Sequence, residues 1–196
     1  MKLYNYQPSG NCWKIRMFLN MLGLSAERFD LDLRAGEHKN AAFLKINPAG
    51  QVPTLIDGDT AISDSATILV YLAVKYGGPE WFPKDPVQIG EVYKWFTVVG
   101  DGVDQGVFAA RMVKKFGASY DYAASVARGE SLLKKLDAHF AHNDWLVGSH
   151  VTVADIHMYP YVRLSEDGGI ALAQYSDLNA WFRRVEALTG YLAMNE

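Results

Sequence analysis

The chain has a single cysteine, Cys12, in 196 residues, which excludes an internal disulfide framework and any zinc site built on paired cysteines. It has no cluster of one charge sign. Its 19 Lys and Arg stand against 22 Asp and Glu, and a net charge of −3 without a basic run argues against an electrostatic nucleic-acid binder. Long apolar runs are missing too: the longest, Ile68 to Val74, is interrupted only by the hydroxyl of Tyr71 and is far too short to span a bilayer, so no membrane partner is expected. The first residues read as a strand and not as a targeting segment, and a cytoplasmic location is the expectation. His139, His142, His150 and His157 lack the spacing a metal site demands, so they read as structural or exposed and no metal is expected. What the chain does have is a 49% hydrophobic fraction, enough for a core in one domain or two small ones.

Leu3 to Tyr6 has the pattern of a short strand ended by Gln7 and Pro8, and the helix after it carries Ile15, Leu19 and Leu22 on one face before Gly23 stops it. The link between them, Pro8 to Cys12, is rich in hydroxyl, amide and thiol groups and lies where a helix dipole is positive. Phe29, Leu31 and Leu33 alternate with charged residues, which predicts a second strand with one buried face and a right-handed, parallel βαβ unit. A short segment through Phe43, Leu44 and Ile46 ends at Asn47 and Pro48. Gly77, Gly78, Pro79, Pro83 and Pro86 then make the clearest run of breakers, with Asp85 as an N-cap before a proline at the first helical position. The expected division is a first domain over 1–77, a linker over 78–86 and an all-helical domain over 87–196.

Within the helical part, Val92, Trp95, Phe96, Val99 and Val103 predict one long amphipathic helix, weakened by Gly100, Gly102 and Gly106. Tight packing against another helix or a partner chain is a reason to keep such glycines. Val126, Leu133, Leu136 and Phe140 predict a second helix with Asp121 near its start. Thr152 to Asp155 has the form of a capping box, Pro160 predicts a kink in the helix that follows, and Trp181, Val185 and Leu188 mark a last helix. Trp95, Phe96 and Trp181 read as core.

The most informative stretch is Gly50 to Ser65. Val52 to Ile56 reads as a strand, Asp57 and Gly58 as a hairpin turn, and Thr60 to Ile62 as the return strand. Pro53 has no N–H for a ladder, which suggests a backbone donor or acceptor of Val52 left for something else. Asp64 or Ser63 is the expected N-cap of a helix carrying Ile68, Leu69 and Leu72, and a helix start is a ready anion site. A free strand edge at Val52 beside an anion site at Ser65 suits a ligand with a peptide-like middle and a carboxylate end.

A βαβ–ββα unit joined through a Pro/Gly linker to an all-helical domain resembles a glutathione transferase, and three motifs carry the resemblance over the whole chain. Gln51, Val52 and Pro53 resemble the family's strand with a cis-proline, Asp64 and Ser65 its acidic–serine pair before a helix, and Thr152 to Asp155 its capping box. The fold implied is a thioredoxin-like α/β domain followed by an all-α domain. The resemblance implies that Val52 pairs with the cysteinyl part of glutathione, that Ser65 holds the γ-glutamyl carboxylate with Asp64 near the ammonium, and that Gln51 and His38 also contact the peptide, His38 at the glycyl carboxylate. Glutathione is then a co-substrate, its partner a small hydrophobic electrophile, and the chain a homodimer. The electrophile pocket implied lies between the domains, lined by Trp13, Phe108, Met112 and Tyr161.

A thiol titrates near pH 8.5, so only a few per cent is thiolate at pH 7, and lowering that value by about two pH units takes roughly 2.7 kcal/mol. A hydroxyl donor together with a helix start can supply it. Ser9 resembles the catalytic serine of theta-like, nu-like and other bacterial classes; Asn11 is a second candidate donor, and Tyr6 a third. Cys12 stands close to the catalytic cysteine of some bacterial classes, where a mixed disulfide with glutathione forms instead. Trp13 to Arg16 is similar to a run in zeta-type maleylacetoacetate isomerases, although Ser9, Gly10 and Asn11 depart from the Ser-Ser-Cys that precedes it there. Conjugation of glutathione is the favoured activity; the isomerase, a Cys12-based thiol oxidoreductase and a non-catalytic glutathione-fold binding protein are the alternatives.

Overall fold

A computed structural model describes residues 1–196 and resolves into two compact units, Met1–Gly78 with Leu188–Glu196, and Pro79–Ala187. The first holds strand β1 (Lys2–Asn5), helix α1 (Gly10–Met21), β2 (Glu27–Asp30), α2 (Ala41–Ile46), β3 (Thr54–Asp57), β4 (Thr60–Ser63) and α3 (Ser65–Leu72). The sheet order is β2-β1-β3-β4; β1 and β2 run parallel, while β3 is antiparallel to both β1 and β4. This is the thioredoxin-like arrangement expected from the βαβ–ββα order. Leu3 and Leu55 face each other across β1 and β3 and are buried with Ile15, Phe18, Ile68 and Leu72 of α1 and α3.

Three details differ from the periodicity. The ladder of β3 begins at Thr54 and not Val52, because Pro53 has no N–H to contribute, and the two-residue loop is Gly58-Asp59, since Asp57 still pairs with Thr60. Strand β2 pairs on one side only, so Phe29 is half-buried where a fully buried face was expected. Residues 188–196, which the pattern of Leu188 assigns to the last helix, return instead to the first unit. There Trp13 Nε1 donates to Leu192 O, Gln7 Nε2 and Arg16 Nη2 to Met194 O, and Asn20 Nδ2 to Gly190 O, at 2.8–3.0 Å.

The second unit is helical: α4 (Pro86–Val98), α5 (Ala109–Phe116), α6 (Tyr122–Phe140), α7 (Val153–Arg163) and α8 (Ser176–Glu186). The predicted single long helix is α4 and α5 joined by a π-helical stretch, Val99–Phe108, which contains the three glycines. Each glycine costs a helix interior about 1 kcal/mol relative to alanine, and this stretch carries three of them. Gly106 also permits a close approach: a Cβ there would lie 2.8 Å from the backbone nitrogen of Gly129 on α6. Helix packing therefore accounts for that glycine. Trp95 and Phe96 are half-buried, whereas Trp181 is fully buried and stacks on Phe140 at 4.7 Å.

The capping box is formed. Thr152 N–H donates to Asp155 Oδ2, while Leu146 N–H and Trp181 Nε1 donate to Oδ1, each at 3.0 Å. Burial pushes the Asp155 carboxyl up to about 6 although these donors pull the other way. Helix α7 continues through Pro160. No helix is long and apolar enough to cross a membrane.

Candidate functional site

The site is built where two helices of the first unit begin. Ser9 caps α1: its Oγ accepts from Cys12 N–H at 3.3 Å, and Trp13 N–H closes on Ser9 O. Using one lone pair this way leaves the Ser9 hydroxyl proton free to be donated, and the N–H groups of Gly10 and Asn11 make no bond within the chain. Asp64 caps α3, accepting from Thr67 N–H at 2.9 Å and from Thr67 Oγ1 at 3.1 Å. The N–H groups of Ser65 and Ala66 are likewise left over. Two positive helix ends therefore present donors in one unit, and no acidic residue occupies the first turn of either helix.

Asp64 adopts φ 71°, the only non-glycine with positive φ. A side-chain-bearing residue there stores about 1–3 kcal/mol of backbone strain, which its two bonds to Thr67 hold in place. The strained turn delivers Ser65, 6% exposed, to the start of α3.

The two helix starts are joined directly. Ser65 Oγ donates to Asn11 Oδ1 at 3.1 Å, so the amide nitrogen of Asn11 faces away and keeps both its protons. Beneath them lies Lys14, with no exposed surface and its Nζ 3.3 Å from Ser65 Oγ. Nothing in the sequence periodicity marked Lys14. The one available signal is a lysine between Trp13 and Ile15 in a helix whose residues from Cys12 to Leu19 are all buried.

Cys12 is fully buried one turn inside α1. Its Sγ accepts from Tyr6 N–H at 3.4 Å, and burial pushes the thiol up to about 11 despite that bond. It is protonated at neutral pH and out of contact with solvent.

Val52 lies just before β3 in a cis peptide with Pro53, and neither its N–H nor its C=O takes part in the ladders or in any other bond. The turn leading to it is held by buried Asn47, whose Nδ2 donates to Gln51 O at 2.8 Å and to Thr54 Oγ1 at 3.0 Å. Gln51 itself keeps an exposed side chain. His38 sits in a 3₁₀ turn, Glu37–Lys39, tied to this same region by Lys39 Nζ, which donates to Ala49 O and Gly50 O; the Nδ1 of His38 is buried without a partner.

The first unit thus brings together Ser9, Asn11 and Ser65, and ties the turn that carries His38 to the segment that leads through Gln51 and Val52 into β3. Trp13 is buried, its indole N–H taken by Leu192 O. In the helical unit Phe108 packs edge-on against Tyr161 at 5.2 Å, with Met112 one turn further along, half-buried. No group of three or more His, Cys, Asp or Glu side chains is placed to hold a metal ion.

Comparison with known proteins agrees with this architecture. Residues 3–80 match the family model for the glutathione S-transferase N-terminal domain, and residues 107–189 the model for its C-terminal domain. Glutathione S-transferase theta-1 of Mus musculus is 29% identical over 97% of this chain and 84% of its own length. Glutathione S-transferase 3 of Zea mays is 34% identical over 79% of this chain and 73% of its own. A crystal structure of a glutathione S-transferase from Pseudomonas fluorescens superposes with a TM-score of 0.92 at 29% identity, covering 100% of this chain and 98% of that one. With both domain models matched in order and the fold shared end to end, the chain belongs to the glutathione S-transferase family.

Proposed function

We propose that this protein binds reduced glutathione and conjugates its thiol to a small hydrophobic electrophile. The observation that carries the reading is the junction of the two helix starts through Ser65 and Asn11, beside the unpaired backbone of Val52. The cysteinyl part pairs with Val52 as a short antiparallel segment. Its γ-glutamyl carboxylate takes the N–H groups of Ser65 and Ala66 and the Ser65 hydroxyl, with Asp64 near the ammonium. Gln51 contacts the peptide, and His38 faces the glycyl carboxylate.

The chemistry follows from the start of α1. The Ser9 hydroxyl donates to the glutathione sulfur, and the free N–H groups of that helix start add positive potential, so the thiol gives its proton to solvent and remains as thiolate. The sulfur lone pair attacks the electrophilic carbon; a thioether forms as the leaving group or π bond takes the electron pair. Asn11 supplies a second donor. The buried, protonated Cys12 supports this route over a mixed disulfide. We assign the electrophile to the apolar side chains Phe108, Met112 and Tyr161 of the helical unit; Trp13, buried and bonded to Leu192, is not part of it. A cytoplasmic homodimer completes the reading.

Isothermal titration with reduced glutathione, run beside an assay of conjugation to an activated aryl chloride, tests this directly. Binding and turnover, with affinity lost in Ser65→Ala, are expected. Binding without turnover on any electrophile would instead make this a glutathione-binding module.

A further inference from the structure

We propose that Lys14 is a positioning residue for the anion at Ser65, making the site select a carboxylate over a neutral group; the inference rests on the glutathione reading above. Lys14 has no exposed surface, and its ammonium lies 3.3 Å from the hydroxyl that opens α3. The positive end of a helix dipole repels a cation, so this placement works against α3 taken alone. An anion seated on the N–H groups of Ser65 and Ala66 turns the same placement into an attraction, and burial strengthens it by removing solvent screening.

The hydroxyl transmits the charge with a fixed sense. Ser65 has one proton and two lone pairs. Because Lys14 donates to one lone pair, the proton must point away from it, and it now rests on Asn11 Oδ1 at 3.1 Å. Ser65 is thereby set as a donor toward whatever occupies the site. A carboxylate accepts that proton; a carboxamide of the same shape receives the donor but gains nothing from the charge behind it. Trp13 and Arg16, one place before Lys14 and two places after it, are bonded instead to Leu192 and Met194.

The test is a cycle of two proteins and two ligands, with affinities read by isothermal titration and folding checked by circular dichroism. The ligands are glutathione and its analogue with the γ-glutamyl α-carboxylate replaced by a carboxamide. Lys14→Met should weaken glutathione about tenfold, the scale of a hydrogen bond to a charged group, and leave the analogue unchanged. Lys14→Arg should keep the discrimination. In a Ser65→Ala background, Lys14→Met should cost glutathione less than it does in the wild-type background, because the hydroxyl that the lysine orients is already gone.

Equal losses for both ligands would show a merely structural role and overturn the proposal, as would no loss for either. Should Lys14→Met not fold, Ser65→Ala with Lys14→Arg decides: the charge stays, the hydroxyl is gone, and the preference for the carboxylate must fall below that of Lys14→Arg alone. Wild-type protein that binds both ligands alike overturns this inference alone. Wild-type protein that binds neither overturns the glutathione reading itself.

Discussion

The Ser65 hydroxyl donates to Asn11 Oδ1 across 3.1 Å, although the two residues are 54 positions apart in the chain. One opens α3 and the other stands in the first turn of α1. The bond ties an anion-binding helix start to the helix start that carries Ser9, so occupying one end of the site bears on the geometry of the other.

Cys12 should be inert in the folded protein. Its thiol is fully buried and pushed up to about 11, so an aromatic disulfide reagent should modify it only at the rate of unfolding. Cys12→Ala should keep conjugation activity and lose roughly 1 kcal/mol of stability through the small cavity it leaves. Rapid labelling in native buffer, or loss of turnover in the alanine variant, would revive the oxidoreductase alternative.

Asp155 should make stability fall with rising pH over a defined window. The folded carboxyl holds its proton up to about pH 6, whereas the unfolded one releases it near pH 4. Its contribution is therefore fully present below about pH 4 and is lost as pH rises through about 6. Asp155→Asn removes this titration but leaves N–H donors facing an amide, so it should be less stable than wild type throughout. The gap between the two should narrow by on the order of 2–3 kcal/mol across the window, measured by chemical denaturation at several pH values.

Gly190→Ala should loosen the returning segment. Gly190 has φ +78°, and a Cβ there would lie 2.8 Å from Asn20 O and 2.8 Å from Met21 Cα, both on the end of α1. Strain plus that clash should destabilise by about 1–3 kcal/mol. Hydrogen exchange should rise along α1, where Trp13, Arg16 and Asn20 bond to the segment. Unchanged protection of α1 would mean that the segment is not part of its support.

Gly106→Ala should act in the helical unit instead. The added methyl meets the backbone of Gly129 at 2.8 Å, where neither side can yield, so overpacking should lower the melting temperature by an amount equivalent to about 1–3 kcal/mol. Gly100→Ala, with open space around it, should raise helix stability by up to about 1 kcal/mol. Equal effects of the two substitutions would count against the close helix approach.

Local rules made much of this fold legible. Asp85, Asp121 and Thr152 cap the helices their sequences suggest. Asp64 and Ser65 were recognisable as a helix start, but the positive φ that aims Ser65 was not, since short polar caps usually need no such strain. What periodicity could not show depends on long-range packing. Lys14 is buried because α1 is enclosed on nearly every side, and residues 188–196 return to the first unit through backbone carbonyls, which no side-chain pattern records.

The central claim is that the start of α1 holds glutathione as a thiolate through Ser9, and the thiolate absorbance of bound glutathione followed against pH measures it. In wild-type protein the bound thiol should titrate about two pH units below the free peptide. In Ser9→Ala, with binding retained, that value should return close to the free one. If Ser9→Ala leaves the titration unchanged while Cys12→Ala abolishes activity, the serine account is wrong.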